Sequence, residues 1–304
     1  MTGTAQSEAK EFREVYGMEV IAVPPYRKLI RKDHDALIFL NRERKYKAII
    51  QKIKKNVQTT GRPILVICPS VDVSEQISNL LSQERIFHNK LNAVNHEEEA
   101  KIISAAGKIG AVTVATNMAG RGTDISLDEA SRRAGGLLVI IAEMNSILRI
   151  DNQARGRSGR QGDPGETQPY ISLEDDLLKN FDLQNKLGGF VGQRQLKTVF
   201  QQPLSGKLFN YLISEPQETL RNIHSASRQR TLNYDLLINR QRKIVYDYRE
   251  KLLTSSQPEK IVSPRGKVDF GENKERLRSL FLHQVDDFWS EYLECLNKIG
   301  ELVQ

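Results

Sequence analysis

Residues 111–165 read AVTVATNMAGRGTDISLDEASRRAGGLLVIIAEMNSILRIDNQARGRSGRQGDPG, and they decide the fold. Two strand-like apolar runs, 112–115 and 137–142, are each followed by a polar segment rich in glycine and arginine. In an open α/β sheet, ligands sit beyond the carboxyl ends of the strands, so the loop 116–124 after the first run points at such a site. Gly120 and Gly122 let the backbone approach a ligand closely, and Arg121 supplies a planar forked donor. Asp124 can accept from a ribose, a metal-bound water or a neighbouring arginine. The second polar segment carries Gln153, Gly156, Arg157, Gly159 and Arg160. A helical turn there would set the guanidinium groups of Arg157 and Arg160, three apart, on one face.

Two arginines on a glycine-punctuated turn suit a phosphate. With no lysine-bearing phosphate loop beside them, they match the half of an ATPase that stabilises a transferring phosphate, a role that contributes roughly 10³–10⁵ in rate. Read without a function, the same residues are a basic, solvated loop whose glycines only turn the chain.

On the amino side, residues 8–16 are expected to form a short helix and 19–23 a strand stopped by Pro24 and Pro25. Residues 42–58 read as a basic helix and 64–68 as a buried strand ending in Cys68, a small buried hydrophobe. Asp72 with Glu75 suits the start of a helix over 73–84, and a further strand is expected at 87–91. Asn95 with Glu98 caps a helix over 95–106. His96, beside that helix start, reads as a surface or capping residue and not as a ligand. On the carboxyl side, 168–173 gives a last strand and Ser172 can cap the next helix. Glu174, Asp175 and Asp176 complement that helix's positive end more simply than they would make a metal site. Strands alternate with helices, so the sheet is expected to be parallel.

From about residue 182 the pattern is helical only. Residues 217–253 form one long helix candidate with Ile244, Tyr248 and Leu252 as its packed stripe. Eight Lys/Arg against four acids on it make a basic face that is either simply solvated or suited to anionic lipid headgroups. Residues 254–272 are Pro/Gly/Ser-rich and read as a linker. The helix 273–303 carries Phe281, Val285, Phe288, Tyr292, Leu296 and Ile299 as a stripe to pack on the long helix, with Trp289 as a packing residue beside it.

Across its 304 residues the chain is 39% hydrophobic and 27% charged, with a net charge of +7. That composition describes a folded chain with ample core and a preference for acidic partners. Cys68 and Cys295 are far apart and in no ligand spacing, so no zinc site or disulfide framework is implied. No apolar run approaches the ~18–20 residues needed to span a bilayer. The amino end lacks an apolar signal-peptide core, so any membrane role is expected to be peripheral.

The run TNMAGRGTDI, then RIDNQARGRSGRQGDPG, then YISLEDDL resembles the SecA preprotein translocase ATPases, whose second RecA-like domain carries helicase motifs V and VI in this form. MTGTA at the amino end is similar to the family's motif III, and GRPILVICPSVDVSEQISNLL with HNKLNAVNHEEEAKII to its motif IV region. Tyr234-Asp235 through Tyr246 is similar to its long scaffold helix. The resemblance implies an α/β, RecA-like parallel sheet domain over 1–181 and an all-α helical scaffold over 182–304, with the linker 254–272 in place of a wing domain.

It also implies ATP, shared with a P-loop domain, and Mg²⁺ not bound by this chain. Arg157, Arg160 and Arg121 would act on the phosphate, while Gly120, Gly122, Asp124, Gln153 and Gly156 would line the nucleotide. Implied partners are a SecYEG-type membrane channel, preproteins, an anionic phospholipid surface and a P-loop ATPase half. The implied location is the cytoplasm, peripheral at the cytosolic face of the cell membrane.

Three departures from the family pattern bear on this. No G-x-x-x-x-G-K-[ST] occurs in the sequence, so the chain by itself is expected not to hydrolyse ATP. A fragment, a split gene or a downstream start would explain that. The linker is too short for a wing domain. Residues 143–149, EMNSILR, replace a stretch that the housekeeping form writes with a histidine and paired arginines, which points to an accessory SecA. Two other functions compete. One is a helicase-like nucleic-acid remodelling half-domain, against which stands the lack of aromatic–basic stacking platforms in the helical half. The other is a truncated, non-catalytic binding module.

Overall fold

The computed structural model describes residues 4–91, 96–117, 122–183, 200–262 and 273–303. Among these lie seven strands: β1 (Lys32–Asp33), β2 (Leu37–Phe39), β3 (Ile64–Cys68), β4 (Asn89–Leu91), β5 (Val112–Thr116), β6 (Leu137–Ile141) and β7 (Gly165–Ser172). They form one sheet in the order β1-β7-β6-β3-β5-β4, with β2 also on β7. Every strand pairing is parallel. The helices that accompany the sheet are α1 (Ala9–Tyr16), α2 (Arg42–Thr59), α3 (Val71–Gln83), α4 (His96–Ala106), α5 (Glu129–Arg133), α6 (Leu148–Arg155) and α7 (Asp176–Asn180).

Alternation along the central strands builds two cores. Ile64, Val66 and Cys68 of β3 face one layer with Val114, Ile140 and the α2 and α3 residues Ile49, Ile53 and Ile77. Leu65 and Ile67 face the other, with Ala115, Val139, Ile141, Ile103 of α4, Ala154 of α6 and Leu178 of α7. Successive strand residues point to opposite faces, so a run that is apolar at every position must be covered on both. Cys68 is fully buried and its thiol is pushed up to about 12 by burial, as suits an inert packing residue.

Several local expectations are corrected. Residues 19–23 are unpaired, with Ile21 82% and Val23 78% exposed. A strand needs a neighbour, and the free edge of β7 is already taken by β1 and β2. Helix α3 is capped by Ser70, whose hydroxyl accepts from the Val73 N–H; Asp72 lies inside its first turn. Residues 87–91 narrow to Asn89–Leu91, with Phe87 exposed. The proposed Asn95 cap lies outside the described residues, as does the side chain of His96. Ser172 does not cap α7, because its hydroxyl donates to Asp175.

Two compact units divide the chain, Met1–Ser225 and Ala226–Gln304. The long helix runs Lys207–Thr254 with Pro216 inside it, so it begins ten residues before the expected start. A short helix, Pro258–Val262, lies in the stretch read as a linker, and the final helix is Lys274–Val303. Within the second unit Leu252 is fully buried as expected, whereas Ile244 is 65% exposed and Tyr248 also exposed. The shielded positions are instead 232, 238, 241, 245, 249 and 252. On the final helix they are 277, 278, 281, 282, 285, 286, 289, 293 and 296, so Phe281, Val285 and Leu296 are shielded as expected while Phe288 and Tyr292 are exposed. Trp289 is half-buried and stacks on Tyr292 at 5.7 Å between ring centroids. Arg249 grips Asp286 with two hydrogen bonds of 2.9 and 3.2 Å.

Candidate functional site

The chain passes from β3 to β4 and β5 on one side, then crosses over β3 to β6 on the other. Such a reversal opens a crevice at the carboxyl ends of the flanking strands. The loop after β5 and the helix α6 after β6 both enter it. Gly120 and Arg121 lie outside the described residues. Gly122 adopts φ 88° with open space where a Cβ would stand, so only glycine suits the turn and the backbone there is open to approach. Ile125 and Leu127 are buried and fix the loop's return.

Helix α6 ends at Arg155, with Gly156 as its C-cap. Gly159 is left-handed at φ 72°, and a Cβ there would stand 2.6 Å from that of Arg31. The chain therefore leaves the helix before Arg157, and no helical turn sets Arg157 and Arg160 on one face. Arg160 turns back instead. Its Nε donates to the Gly156 carbonyl at 2.8 Å, and its Nη1 meets Asp124 Oδ1 at 2.7 Å. Of the partners open to Asp124, the structure has the neighbouring arginine. Arg157, with Gln153 and Asn117, lines a cavity of about 20 Å³ beneath the carboxyl ends of β3 and β5. The site thus brings together Gly122, Asp124, Gln153, Gly156, Arg157 and Arg160.

Helix α6 is held at both ends. At its carboxyl end, Arg31 Nη1 donates to the carbonyls of Arg155 (2.9 Å) and Ser158 (3.1 Å) while its other nitrogens grip Asp33. Near its amino end, the buried Asp151 accepts from the Asn145 N–H at 2.9 Å and from Gln217 Nε2 at 2.7 Å. The same Gln217 amide donates to the Asn145 carbonyl at 2.6 Å. Burial pushes the Asp151 carboxyl up to about 6, against the pull of these donors and of Arg155.

A second charged cluster was not foreseen. Lys45 on α2 has a fully buried side chain, and its Nζ lies 2.5 Å from Asp175 Oδ1 and 3.7 Å from Glu143 Oε2. Asp175 also accepts from the N–H and hydroxyl of Ser172. Glu143 follows β6, and its carboxyl is raised by burial and by Asp175, with Lys45 and Arg42 opposing. The three acids 174–176 are therefore more than a complement to a helix end. Glu174 accepts the Arg42 N–H, Asp175 holds Lys45, and Asp176 pairs with the Arg42 guanidinium. A lysine in a basic helix carries no sign of burial in the sequence. Nor does Gln217, beyond sharing a helix face with Ile213 and Leu220.

The residues fit one side of a nucleotide phosphate. Arg157, Arg160 and the open backbone at Gly122 offer donors to an anion lying across the strand ends. The cavity that Arg157 lines has room for about one water. Among the described residues no group of three or more His, Cys, Asp or Glu is arranged to hold a metal.

The family model described as SecA P-loop domain matches residues 28–133 and 128–197, together more than half of the chain. The chain belongs to the SecA family. The model for the SecA Wing and Scaffold domain matches residues 203–268. The SecA protein translocase subunit of a Nitratiruptor species is 44% identical over 285 residues, covering 92% of this chain and 32% of that protein. That of Thermosipho melanesiensis is 44% identical over 261 residues, covering 85% of this chain and 30% of that one. The chain thus spans about a third of the length of these curated SecA relatives. Among solved structures, E. coli DEAD-box protein SrmB bound to RraA overlaps 54% of this chain and 88% of that one at TM-score 0.40 and 20% identity. Mss116p DEAD-box helicase domain 2 bound to an RNA duplex overlaps 54% and 60% at 0.39 and 15%. Among the described residues no helix is long and apolar enough to cross a membrane.

Proposed function

We propose that this SecA segment is the carboxyl-side half of an ATP-driven protein translocase motor. In this reading residues 1–181 are the second RecA-like domain, and 182–304 are a helical scaffold in which 254–272 replaces a wing. Arg157 and Arg160, with Arg121, act on charge developing at the terminal phosphate of ATP held by a P-loop half. Gly120, Gly122, Asp124, Gln153 and Gly156 shape the shared face, and Asp124 aims Arg160. ATP when bound supplies the phosphoryl transfer to water, with Mg²⁺ carried on the P-loop side. This chain's part is to orient and stabilise charge. The partners proposed are a SecYEG-type channel, preproteins and an anionic phospholipid surface, met from the cytosolic face of the membrane.

One observation carries the reading. Arg157 lines a cavity far too small for a nucleotide at the carboxyl ends of a parallel sheet, and Arg160, three residues on, is turned to Asp124, in a chain without a Walker lysine. Such a site is half of something. The test is ATP turnover by the purified chain, by a separately made SecA-type P-loop half, and by their mixture. Turnover only in the mixture, or well above the P-loop half's own rate, is expected. A mixture no faster than the P-loop half would turn the reading toward a binding module.

A further inference from the structure

Gln217 is an uncharged side chain, 6% exposed, in the helix that follows the sheet, and its amide donates hydrogen bonds of 2.6 and 2.7 Å. Both go to the segment that carries the candidate arginines: one to the Asn145 carbonyl before α6, one to the Asp151 carboxylate within it. Asp151 is itself 2% exposed. A carboxylate buried at that depth costs more than an apolar side chain of the same size, unless its donors stay in place. Ile213, Pro216, Gln217 and Leu220 share the docked face of the helix, and Ile213 and Leu220 pack on the apolar core. The polar joint sits within that otherwise apolar contact.

Pro216 immediately precedes it. A proline has no N–H to give to the preceding turn, so the backbone ladder of the Lys207–Thr254 helix is interrupted there. A helix broken at one residue and bonded sideways at the next bends at that point more easily than elsewhere. It also follows whatever it is bonded to. Helix α6 cannot turn or slide by more than about 1 Å past Gln217 without taking one of its two named donors from a buried carboxylate, so the two move together unless that bond breaks.

We infer that Gln217 is the positioning residue through which the helix bearing Gln153 and leading to Arg157 and Arg160 drives the start of the long helix, with Pro216 as the flexing point. This rests on the half-site reading above. Gln217 touches no nucleotide; it acts through Asp151.

Hydrogen exchange of the 304-residue chain tests this, alone and mixed with a SecA-type P-loop half with and without ATP. In the chain alone, Gln217→Ala is expected to raise amide exchange at both 148–155 and 213–220 by roughly tenfold to a hundredfold, as the loss of hydrogen bonds to a buried charge implies. Exchange in β3 should be unchanged. The reciprocal pair Asp151→Asn with Gln217→Glu rebuilds one amide–carboxylate bond in reverse and is expected to restore most of the protection, which keeps the test open if the alanine variant folds poorly.

In the mixture, ATP is expected to alter exchange at 148–155 and at 213–220 in the wild type. With Gln217→Ala the first response should remain and the second vanish, whereas a merely structural residue would leave both or lose both. Persistence of the 213–220 response in Gln217→Ala overturns the inference, as does its absence from the wild type while 148–155 responds; either leaves the half-site reading standing. No response at 148–155 in the wild type overturns the half-site reading and takes this inference with it.

Discussion

Two charged clusters stand at the carboxyl edge of the same sheet, and they differ mainly in water. Asp124 and Arg160 meet at 2.7 Å with side chains 57% and 38% exposed. Lys45 and Asp175 meet at 2.5 Å with side chains 0% and 1% exposed. In the open pair, solvent screens the attraction and rehydrates both groups when they part, so breaking it costs little. An anionic ligand can therefore take Arg160 from Asp124 cheaply. In the sealed pair, separation leaves a charge in a medium that cannot solvate it. Lys45 thus ties α2 to the ends of β6 and β7 as a fixed joint, while Arg160 keeps its partner exchangeable. The same two kinds of side chain make an anchor in one place and a switchable contact in the other.

Stability measurements can break that contrast, and the largest effect is expected at the anchor. Lys45→Met keeps the stem and removes the charge, leaving the buried Asp175 and Glu143 without their lysine and with Arg42, 3.6 Å from Asp175, beside them. A loss of about 3–5 kcal/mol in denaturant unfolding is expected, and a loss below about 1 kcal/mol would show that the cluster is not sealed.

Asp151 should give an intermediate effect with a definite sign. Its carboxyl is raised from 3.8 to about 6 in the folded chain. The group's contribution is therefore fully present below about pH 3.8 and is lost as pH rises through about 6. Relative to Asp151→Asn, the wild type should gain roughly 1 kcal/mol of stability between pH 7 and pH 5. A difference between the two that is flat with pH would mean that Asp151 is not buried as described. The smallest effect belongs to the open pair, where Asp124→Ala should change unfolding free energy by less than about 1 kcal/mol. A larger loss would make Arg160 an anchor too.

What the sequence discloses follows the same line between covered and uncovered. The strands β3 and β6 are legible because five apolar residues in a row can only be satisfied by cover on both faces. Strands β5 and β7, with Thr113 inside one and mostly polar residues in the other, are legible from their place in the alternation of strands and helices. Strands β1 and β2 are two and three residues long and have no period to read. They exist because β7 has a free edge, a fact of tertiary structure. The apolar residues at 19–23, more strand-like in composition, pair with none of the described strands. On the final helix, apolar residues occupy more than one face, so a three-and-four spacing joins 281 and 285, which are shielded, to 288 and 292, which are not.

The turn at 156–160 was legible as a segment rich in glycine and arginine that follows a strand and a helix. That the helix would end before Arg157 was hidden in Gly159 and its contact with Arg31, more than a hundred residues away. Lys45 and Gln217 were missed for one reason: a polar residue is buried only by its partner, and the partner is distant in sequence.

The measurement closest to the central claim is the kcat and KM of ATP hydrolysis in the mixture of this chain with a SecA-type P-loop half, with wild type, Arg157→Ala and Arg157→Lys compared at equal folding. If these arginines stabilise charge only as the phosphate transfers, Arg157→Ala should lower kcat by roughly 10³-fold or more with KM little changed. Lysine, lacking the planar fork, should recover only a small part. If kcat is unchanged and only KM rises, or neither moves, Arg157 does not act on the reacting phosphate and the half-motor account is wrong.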